Sequence, residues 1–330
     1  MDWHEKNNFP AQKSEIWPNF FIVGAAKAGT TSLYAYLRQH PEIFMPEEVK
    51  ETHYFAQVRP SHAQRFASPV FISDRADYLR LFRKARGYPA IGEACPSYLW
   101  SEAAPARIHA AAPGARIIIT LRDPIERAYS HYLMDYREGM QHLPFFEALQ
   151  ADWQSPEKGW AVSNLYVELG CYARQIERYW RFFGEDRVHI LFHDDLRRLA
   201  AGDRQVLADI LRFLEVDVGG LARIDTTRVE NSFAAPRAEW ARRLAGANWA
   251  RWIGNRLVPH RLGALIFERF FIEHSAPPPP MDPRARAWLA EIFEPEIRAV
   301  ETLLGRRLPQ LRHAGAPIRD AAALAIAGGQ

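Results

Sequence analysis

Short apolar runs alternate along the chain with longer stretches in which apolar residues recur every three or four positions. This alternation is typical of parallel strands joined by helices. Strands are predicted at 20–24 (FFIVG), 90–94 (AIGEA), 116–121 (RIIITL) and 188–192 (VHILF). Helices are predicted at 31–38, 124–137 and 172–183. The pattern therefore predicts an α/β fold with a central, doubly wound parallel sheet flanked by helices.

The C-terminal part of the chain has a different composition. Residues 237–271 hold seven arginines and two glutamates interleaved with tryptophan and phenylalanine, and four consecutive prolines follow at 277–280. Such a proline run forms a stiff, extended connector. Asp282 and Pro283 have the residue types of a helix N-cap and first turn, and they predict a helix that runs to Leu304.

We expect a single domain with a helical C-terminal part. Its predicted limits are residues 18–311, preceded by an N-terminal extension of residues 1–17 and followed by a tail of residues 312–330 that has little to bury and frays. Within the domain, residues 237–283 are expected to form a basic, aromatic, lid-like helical insert and the proline linker.

Composition narrows the class of protein. The chain has 330 residues, 48% of them hydrophobic and 25% charged, which is typical of a soluble globular protein. A formal charge of +3 is too small to indicate a nucleic-acid-binding protein, and no nucleic-acid partner is predicted. Only six of the 42 basic residues are lysines, so each lysine inside a motif is informative.

Compartment and metal content are predicted from the same sequence. The two cysteines have no metal-ligand spacing, and neither a disulfide scaffold nor a metal site is predicted. The N-terminus has no signal-peptide core, and no apolar run approaches the ~20 residues of a membrane span. A cytoplasmic location is therefore expected, without a transmembrane segment.

The strongest local signal lies where the first strand runs into the first helix. Gly24 and Gly29 are separated by four residues, as in the G-x-x-x-x-G-K-[ST] loop of nucleoside-triphosphate enzymes, whose backbone N–H groups hold a phosphate. Here Thr30 stands where the lysine is expected, and the lysine is inside the loop, at Lys27. With hydroxyl groups at 30–32, this loop suits a shorter 5′-anion than a triphosphate. A purely structural glycine turn is the alternative.

A second basic site is predicted after the strand at 116–121. Arg122 stands at the carboxyl end of that strand, where ligands bind in parallel sheets, and Ser130 lies about two turns into the next helix. One guanidinium and one hydroxyl group can hold a second phosphate. The alternative is an ordinary surface ion pair between Arg122 and Asp123.

Five segments of the chain carry these motifs in one order: FIVGAAKAGTTSLYAYLRQHPEI, KETHYF, GEACPSYLW, RIIITLRDPIERAYSHY and GCYARQIERYWRFFGEDRVHILFHDDL. In order and spacing they resemble the sulfotransferases that use 3′-phosphoadenosine 5′-phosphosulfate (PAPS), above all the heparan-sulfate type and its bacterial relatives. The resemblance covers roughly residues 18–200 and includes both phosphate motifs.

The resemblance implies a P-loop-like sulfotransferase fold and direct, metal-free transfer of a sulfuryl group from PAPS to a hydroxyl or amine. It implies that the 5′-phosphosulfate is bound by Lys27, Ala28, Gly29, Thr30, Thr31 and Ser32, and the 3′-phosphate by Arg122 and Ser130. Glu51 of KETHYF is implied to take the acceptor's proton, with Lys50 beside it and His53 as a second candidate base. Without the resemblance, Glu51 is better explained as part of a solvated charge run. Cys95 is expected to be a small buried residue, because direct transfer needs no covalent intermediate.

Some positions depart from the heparan-type pattern. Ala94 stands where those enzymes commonly have a lysine, which argues against a glycosaminoglycan acceptor. Tyr98 of the same motif is retained, and with Tyr172 it is a candidate substrate-binding residue. The basic loop that closes over the nucleotide has no clear counterpart, and Ser232 and Arg237 are predicted to take its place. The acceptor is expected to be a small molecule, a lipid or a carbohydrate.

Two other functions fit parts of the sequence. The loop from Gly24 to Gly29 alone fits a P-loop kinase or NTPase, although no acidic residue suited to magnesium ends a strand. That function would be favoured if ATP outcompeted PAPS and if activity or nucleotide binding were lost in EDTA. Residues 237–271 alone fit a non-catalytic module that binds a membrane surface or a protein partner, which liposome flotation would test. We expect this segment instead to cover the acceptor site. Ordinary packing helices, whose arginines extend their charged ends into solvent, are the simplest alternative.

Overall fold

A five-stranded parallel sheet forms the centre of the molecule, in the order β2-β3-β1-β4-β5. The computed structural model describes residues 15–56, 58, 71–160, 162–226, 235–236, 272–273 and 279–312. The strands of the sheet are β1 Phe20–Gly24, β2 Ile43–Phe44, β3 Ala90–Ala94, β4 Arg116–Leu121 and β5 Val188–Phe192. The predicted fold class and all four predicted strands are confirmed. The sequence missed β2, since a strand of two residues is too short to show a periodicity.

Helices cover both faces of the sheet. They are α1 Thr30–Leu37, α2 Arg75–Arg80, α3 Ser97–Trp100, α4 Ala104–Ala111, α5 Pro124–Arg137, α6 Phe145–Gln154, α7 Tyr172–Phe183, α8 His193–Ala200, α9 Gln205–Phe213 and α10 Pro283–Leu303. The predicted bounds of α5 and α7 are confirmed, and α1 begins and ends one residue earlier than predicted. None of the described helices combines the length and the hydropathy needed to cross a membrane.

The inner strands β1 and β3 are buried along their whole length, as parallel strands between two helical layers must be. In β1, Phe21 and Val23 pack into one apolar cluster, and Phe20 and Ile22 pack into another on the opposite face. The first cluster includes buried residues of α5, α7 and α10, and the second includes those of α1, α8 and α9. The apolar runs of the sequence therefore lie between two layers of helices.

The C-terminal helix α10 completes the larger of these clusters. Asp282 caps it by accepting a hydrogen bond at 2.8 Å from the backbone N–H of Arg284, and Pro283 is its first residue, as the sequence predicts. Its buried face packs mainly on α7 and α5. Phe293 of this face lies so close to Gly170 that a Cβ on the glycine would stand 2.7 Å from the phenylalanine ring.

Some predictions fall on parts of the chain that the structure does not describe. Ser232, Arg237, the interior of 237–271 and the tail from residue 313 lie outside the described residues. The backbone on either side of the 237–271 segment is described: Ala235–Pro236 pairs antiparallel with Ile272–Glu273 to form the two-stranded ladder β6-β7. Both ends of the segment therefore meet at one ladder.

Replacement of Phe293 by alanine tests whether α10 belongs to the same cooperative core as the sheet. The ring is fully buried. We expect Phe293→Ala to lower the free energy of unfolding by about 3–5 kcal/mol, because it removes a large apolar group and leaves a cavity. The exposed Glu291 of the same helix is the control, and Glu291→Ala should change stability by less than about 0.5 kcal/mol. Urea denaturation monitored by tryptophan fluorescence measures both, and equal midpoints would contradict the assignment.

Candidate active site

A cavity of about 980 Å³ opens at the carboxyl ends of the central strands. Residues that follow β1, β3, β4 and β5 line it, together with side chains of α1, α5, α8 and α10. In parallel sheets this edge is where ligands bind, because the loops after neighbouring strands meet there. Among the predicted site residues, the cavity is lined by Lys27, Gly29, Thr30, Thr31, Ser32, Glu51, Arg122 and Ser130.

The loop between β1 and α1 brings the start of that helix to the cavity. Lys27 and Gly29 both have a positive φ, of 66° and 90°, and Gly29 is the N-cap residue of α1. No side chain caps this helix, although its first backbone N–H groups have no acceptor within the helix. They and the positive end of the helix dipole are therefore available to an anion.

Gly29 is required at this turn for two reasons. Its φ lies in the left-handed region, which side chains disfavour. A Cβ on this residue would also stand 2.5 Å from Cδ1 of Leu196 in α8. The turn therefore depends on a missing side chain, which the sequence motif indicated, and on packing against a distant helix, which it did not.

The ammonium group of Lys27 lies in the cavity, and within the described part of the chain it forms no ion pair with a carboxylate. Its Nζ is 3.5 Å from Sδ of Met134. Burial, and to a smaller extent the nearby guanidinium of Arg137, lower the pKa of Lys27 to about 8, against the weaker opposite effect of carboxylates such as Glu138. A bound anion would reverse this shift, since it favours the charged ammonium.

Arg122 connects the two predicted phosphate motifs. Its Nη1 donates a hydrogen bond at 3.2 Å to the carbonyl oxygen of Lys27, and burial lowers its pKa. The hydroxyl of Tyr172 donates at 2.9 Å to the carbonyl oxygen of Arg122, so Tyr172 lies in the core and supports this arginine. The Asp123 carboxylate is buried and caps α5 by accepting from the N–H of Ile125 at 2.8 Å, so it does not lie at the surface, where the alternative had placed it.

Glu51 presents a half-buried carboxylate to the same cavity. The ammonium of Lys50 lies 2.5 Å from its Oε1. Burial by itself would raise the pKa of Glu51, but the charge and hydrogen bond of Lys50 outweigh it and hold the pKa below the usual value. Glu51 is therefore ionised at neutral pH and can accept a proton. Lys50 does not itself line the cavity and affects it by keeping the Glu51 carboxylate charged.

Other predicted site residues lie behind the cavity wall. The His53 imidazole is buried, with Nδ1 2.8 Å from the hydroxyl oxygen of Ser97, and burial lowers its pKa to about 4. Tyr98 is fully buried and donates to the Glu93 carboxylate at 2.7 Å. Ala28 is also buried inside the loop. Cys95 is buried as predicted, and burial raises the pKa of its thiol.

The sequence did not single out several side chains that complete the cavity: Arg137, Trp160, His193, Arg197 and Arg286. Arg137 lies seven positions after Ser130 in α5, so helical periodicity places both on one face. His193 begins the helix directly after β5, so the strand-edge rule that found Arg122 also applies there. Arg286 pairs with Glu126 at 3.0 Å across α10 and α5, a contact without any sequence signal.

Comparison with known proteins places these features in one class. Residues 18–219 match the sulfotransferase family, and the chain belongs to that family. A solved relative is the sulfotransferase from Alicyclobacillus acidocaldarius, with 28% identity and a TM-score of 0.66 over 90% of this chain and 99% of that chain. The P-loop-like sulfotransferase fold implied by the sequence is thereby confirmed.

Curated relatives include heparan-sulfate and carbohydrate enzymes. The bifunctional heparan sulfate N-deacetylase/N-sulfotransferase of Drosophila melanogaster is 26% identical in an alignment of 222 residues that covers 64% of this chain and 21% of that protein. Human carbohydrate sulfotransferase 15 is 36% identical in an alignment of 156 residues, gaps included, that covers 35% of this chain and 27% of that protein. The matches to this Drosophila enzyme and to enzymes of the same name from Homo sapiens and Xenopus tropicalis cover 21%, 26% and 24% of those proteins, so the chain spans about a quarter of their length.

Competitive acylation of the lysines tests the charge environment of the cavity. We expect the amine of Lys27 to titrate near pH 8 in the ligand-free protein rather than near 10.5, because burial and Arg137 disfavour its charged form. Mass spectrometry of peptides labelled at a series of pH values measures this, with the exposed Lys84 as the internal reference. Half-labelling of Lys27 above about pH 10 would contradict the described environment.

Proposed function

We propose that this protein transfers the sulfuryl group of PAPS to a hydroxyl or amine by direct in-line displacement. The observation that carries the proposal is that one cavity joins an uncapped helix N-terminus with Lys27, a second cation and hydroxyl at Arg122 and Ser130, and an ionised carboxylate at Glu51. These are two anion sites and one base. In-line transfer needs such a base near the nucleophile and cations on the leaving phosphate.

PAPS is proposed as the donor because positive groups lie at two places in the cavity. The N–H groups at the start of α1, with Thr30, Thr31 and Ser32, would hold the 5′-phosphosulfate, and Arg122 with Ser130 would hold the 3′-phosphate. The Lys27 ammonium would stabilise charge that grows on the 5′-phosphate as the sulfuryl group leaves. The described partner of the Lys27 ammonium is the thioether of Met134, a weak acceptor that a phosphate oxygen would readily replace.

The acceptor's proton is assigned to Glu51. Its depressed pKa keeps it ionised at neutral pH, and it lies on the cavity wall. Lys50 would keep the carboxylate charged and oriented through the 2.5 Å contact. His53 would be the second candidate, although the described residues place it behind the wall, between Ser97 and the ring of Phe71 at 4.7 Å.

The acceptor is proposed to be a carbohydrate, a lipid or another small molecule that carries a hydroxyl or amine. The names of the relatives favour a carbohydrate. Against a glycosaminoglycan, Ala94 is a fully buried residue where heparan-type enzymes commonly have a lysine. We place the reaction in the cytoplasm, where the two cysteines would stay reduced, as they are in the structure.

Transfer from radiolabelled PAPS tests the proposed function. The purified protein is incubated with labelled PAPS and a small-molecule and lipid extract of the cells that encode it, and the labelled product is identified by mass spectrometry. We expect a product that carries one added sulfate. Labelling that is equal with and without the protein would refute the proposal.

Glu51→Gln should separate chemistry from donor binding. The amide cannot take a proton, so we expect turnover to fall by about two to four orders of magnitude. The affinity for 3′-phosphoadenosine 5′-phosphate (PAP), measured by calorimetry, should change by less than about threefold. The exposed Glu48 of the same charge run is the control, and Glu48→Gln should behave as the wild type. Unchanged turnover in Glu51→Gln would remove Glu51 as the base.

Lys27→Ala should impair both steps. We expect PAP affinity to fall about tenfold to hundredfold, the usual effect of removing one charged hydrogen-bond donor, and turnover at saturating PAPS to fall as well. The exposed Lys84 provides the matched control, Lys84→Ala, measured by the same calorimetry and transfer assay. Equal PAP affinity in the wild type and Lys27→Ala would show that the 5′-anion lies elsewhere.

A further inference from the structure

A buried carboxyl group lies behind the proposed base. Glu93, the penultimate residue of β3, is 1% exposed. Its Oε1 contacts the hydroxyls of Thr52 and of Tyr98, the latter at 2.7 Å, and its Oε2 contacts the hydroxyl of Tyr78. Among the described residues, its hydrogen-bond partners are these three hydroxyl groups, and it has no ion pair with a cation. Burial of an ionised carboxylate without a cation is unfavourable, so the protonation state of Glu93 needs an explanation.

The hydrogen-bond contacts around Glu93 indicate the protonation state of its carboxyl group. Besides the three contacts of the carboxyl group, the hydroxyl oxygens of Thr52 and Tyr98 lie 2.8 Å apart. The three hydroxyl groups supply protons for three of these four oxygen–oxygen contacts, and a hydrogen bond in each of the four takes one proton more. A neutral carboxyl supplies the fourth. Burial raises the pKa of Glu93 to about 7 and that of Tyr78 and Tyr98 well above the usual value, which agrees with this count.

The network also holds the backbone next to Glu51. Thr52 is the residue after it, and the Thr52 hydroxyl accepts a hydrogen bond at 3.2 Å from the N–H of Tyr54. The Tyr98 hydroxyl accepts at 3.4 Å from the N–H of Phe55. Residues 50–53 lie outside helices and strands, and Tyr54 and Phe55 open the short 3₁₀ helix Tyr54–Ala56, so these two contacts satisfy the first N–H groups of that helix. Glu93 thus ties an irregular segment to the central sheet.

We propose that Glu93, in its neutral form, is a positioning residue for sulfuryl transfer, because it anchors Thr52 to β3 and so fixes the carboxylate of Glu51 in the cavity. The inference rests on the proposed function, in which Glu51 is the base. Displacement of a reacting group by about 1 Å can cost a hundredfold in rate, so an anchor one residue from the base affects turnover more than donor binding. Glu93 itself touches neither the cavity nor any reacting atom.

Four variants test the anchor in pairs. Glu93→Gln retains a group that donates and accepts, and Glu93→Ala removes it. Thr52→Ser retains the hydroxyl, and Thr52→Val replaces it with a methyl group of similar shape. For each protein, the measurements are PAP affinity by calorimetry, label transfer at saturating PAPS, and amide hydrogen exchange at Tyr54 and Phe55. Infrared difference spectra of the wild type and Glu93→Gln at pH 6 report the neutral carboxyl group.

We expect turnover in Glu93→Ala and Thr52→Val to fall about tenfold to hundredfold, with PAP affinity within about twofold of the wild type and faster exchange at the two amides. Glu93→Gln and Thr52→Ser should keep turnover within about threefold. The infrared spectra should show a neutral carboxyl band that disappears in Glu93→Gln. If Glu93→Ala does not fold, Thr52→Val and Thr52→Ser decide the question alone.

Three results would overturn the inference: Glu93→Gln as inactive as Glu93→Ala, PAP affinity that falls together with turnover, or no neutral carboxyl band. A different result bears on the proposed function, namely a wild-type protein that transfers no label from PAPS. In that case the infrared and exchange measurements still show whether Glu93 is neutral and anchors Thr52, so the two failures are distinguishable.

Discussion

The left-handed turn at Lys27 and Gly29 is the constraint on which the site depends. It redirects the chain at the end of β1 so that α1 begins with its N–H groups towards the cavity and Lys27 beside them. A Cβ at position 29 would stand 2.5 Å from Cδ1 of Leu196, so the end of that side chain would have to shift for any other residue there. The carbonyl oxygen of Lys27 also receives the Arg122 guanidinium, so the same few residues position the second basic group.

This arrangement is unfavourable in one respect, because it removes the positive charges of Lys27 and Arg122 from water. Burial lowers the pKa of both Lys27 and Arg122, which is the behaviour of cations that lack an adequate counter-charge. Side chains with pKa values shifted in this way are concentrated at functional sites. On the opposite side of the site, Lys50 gives Glu51 a low pKa, while the nearby Glu93 has a raised one. Glu51 and Glu93 lie close together in the folded chain but differ in protonation. Lys50 keeps Glu51 ionised, whereas burial among hydroxyl groups favours the neutral form of Glu93.

Predictions from the sequence succeeded where the determining interactions are local. The apolar runs fixed the strands, and Asp282 with Pro283 predicted the start of α10 because a cap acts on the next few residues. Lys27, residues 29–32 and Arg122 line the cavity, and short motifs at strand ends were enough to predict that location. The orientations of His53 and Tyr98 could not be predicted, because they lie in segments without a regular period and are decided by contacts with Ser97 and Glu93. The pairing of Arg286 with Glu126 joins elements 160 residues apart.

The central claim is that the cavity holds a nucleotide with anions at both its 5′ and 3′ positions. Calorimetric titration of the same protein with PAP, AMP and ATP tests it most directly, because AMP lacks only the 3′-phosphate and ATP carries a longer 5′-anion. We predict that PAP binds at least about tenfold more tightly than either, since AMP and ATP both lack the group assigned to Arg122 and Ser130. Equal affinities for PAP and AMP, or a preference for ATP, would contradict the account.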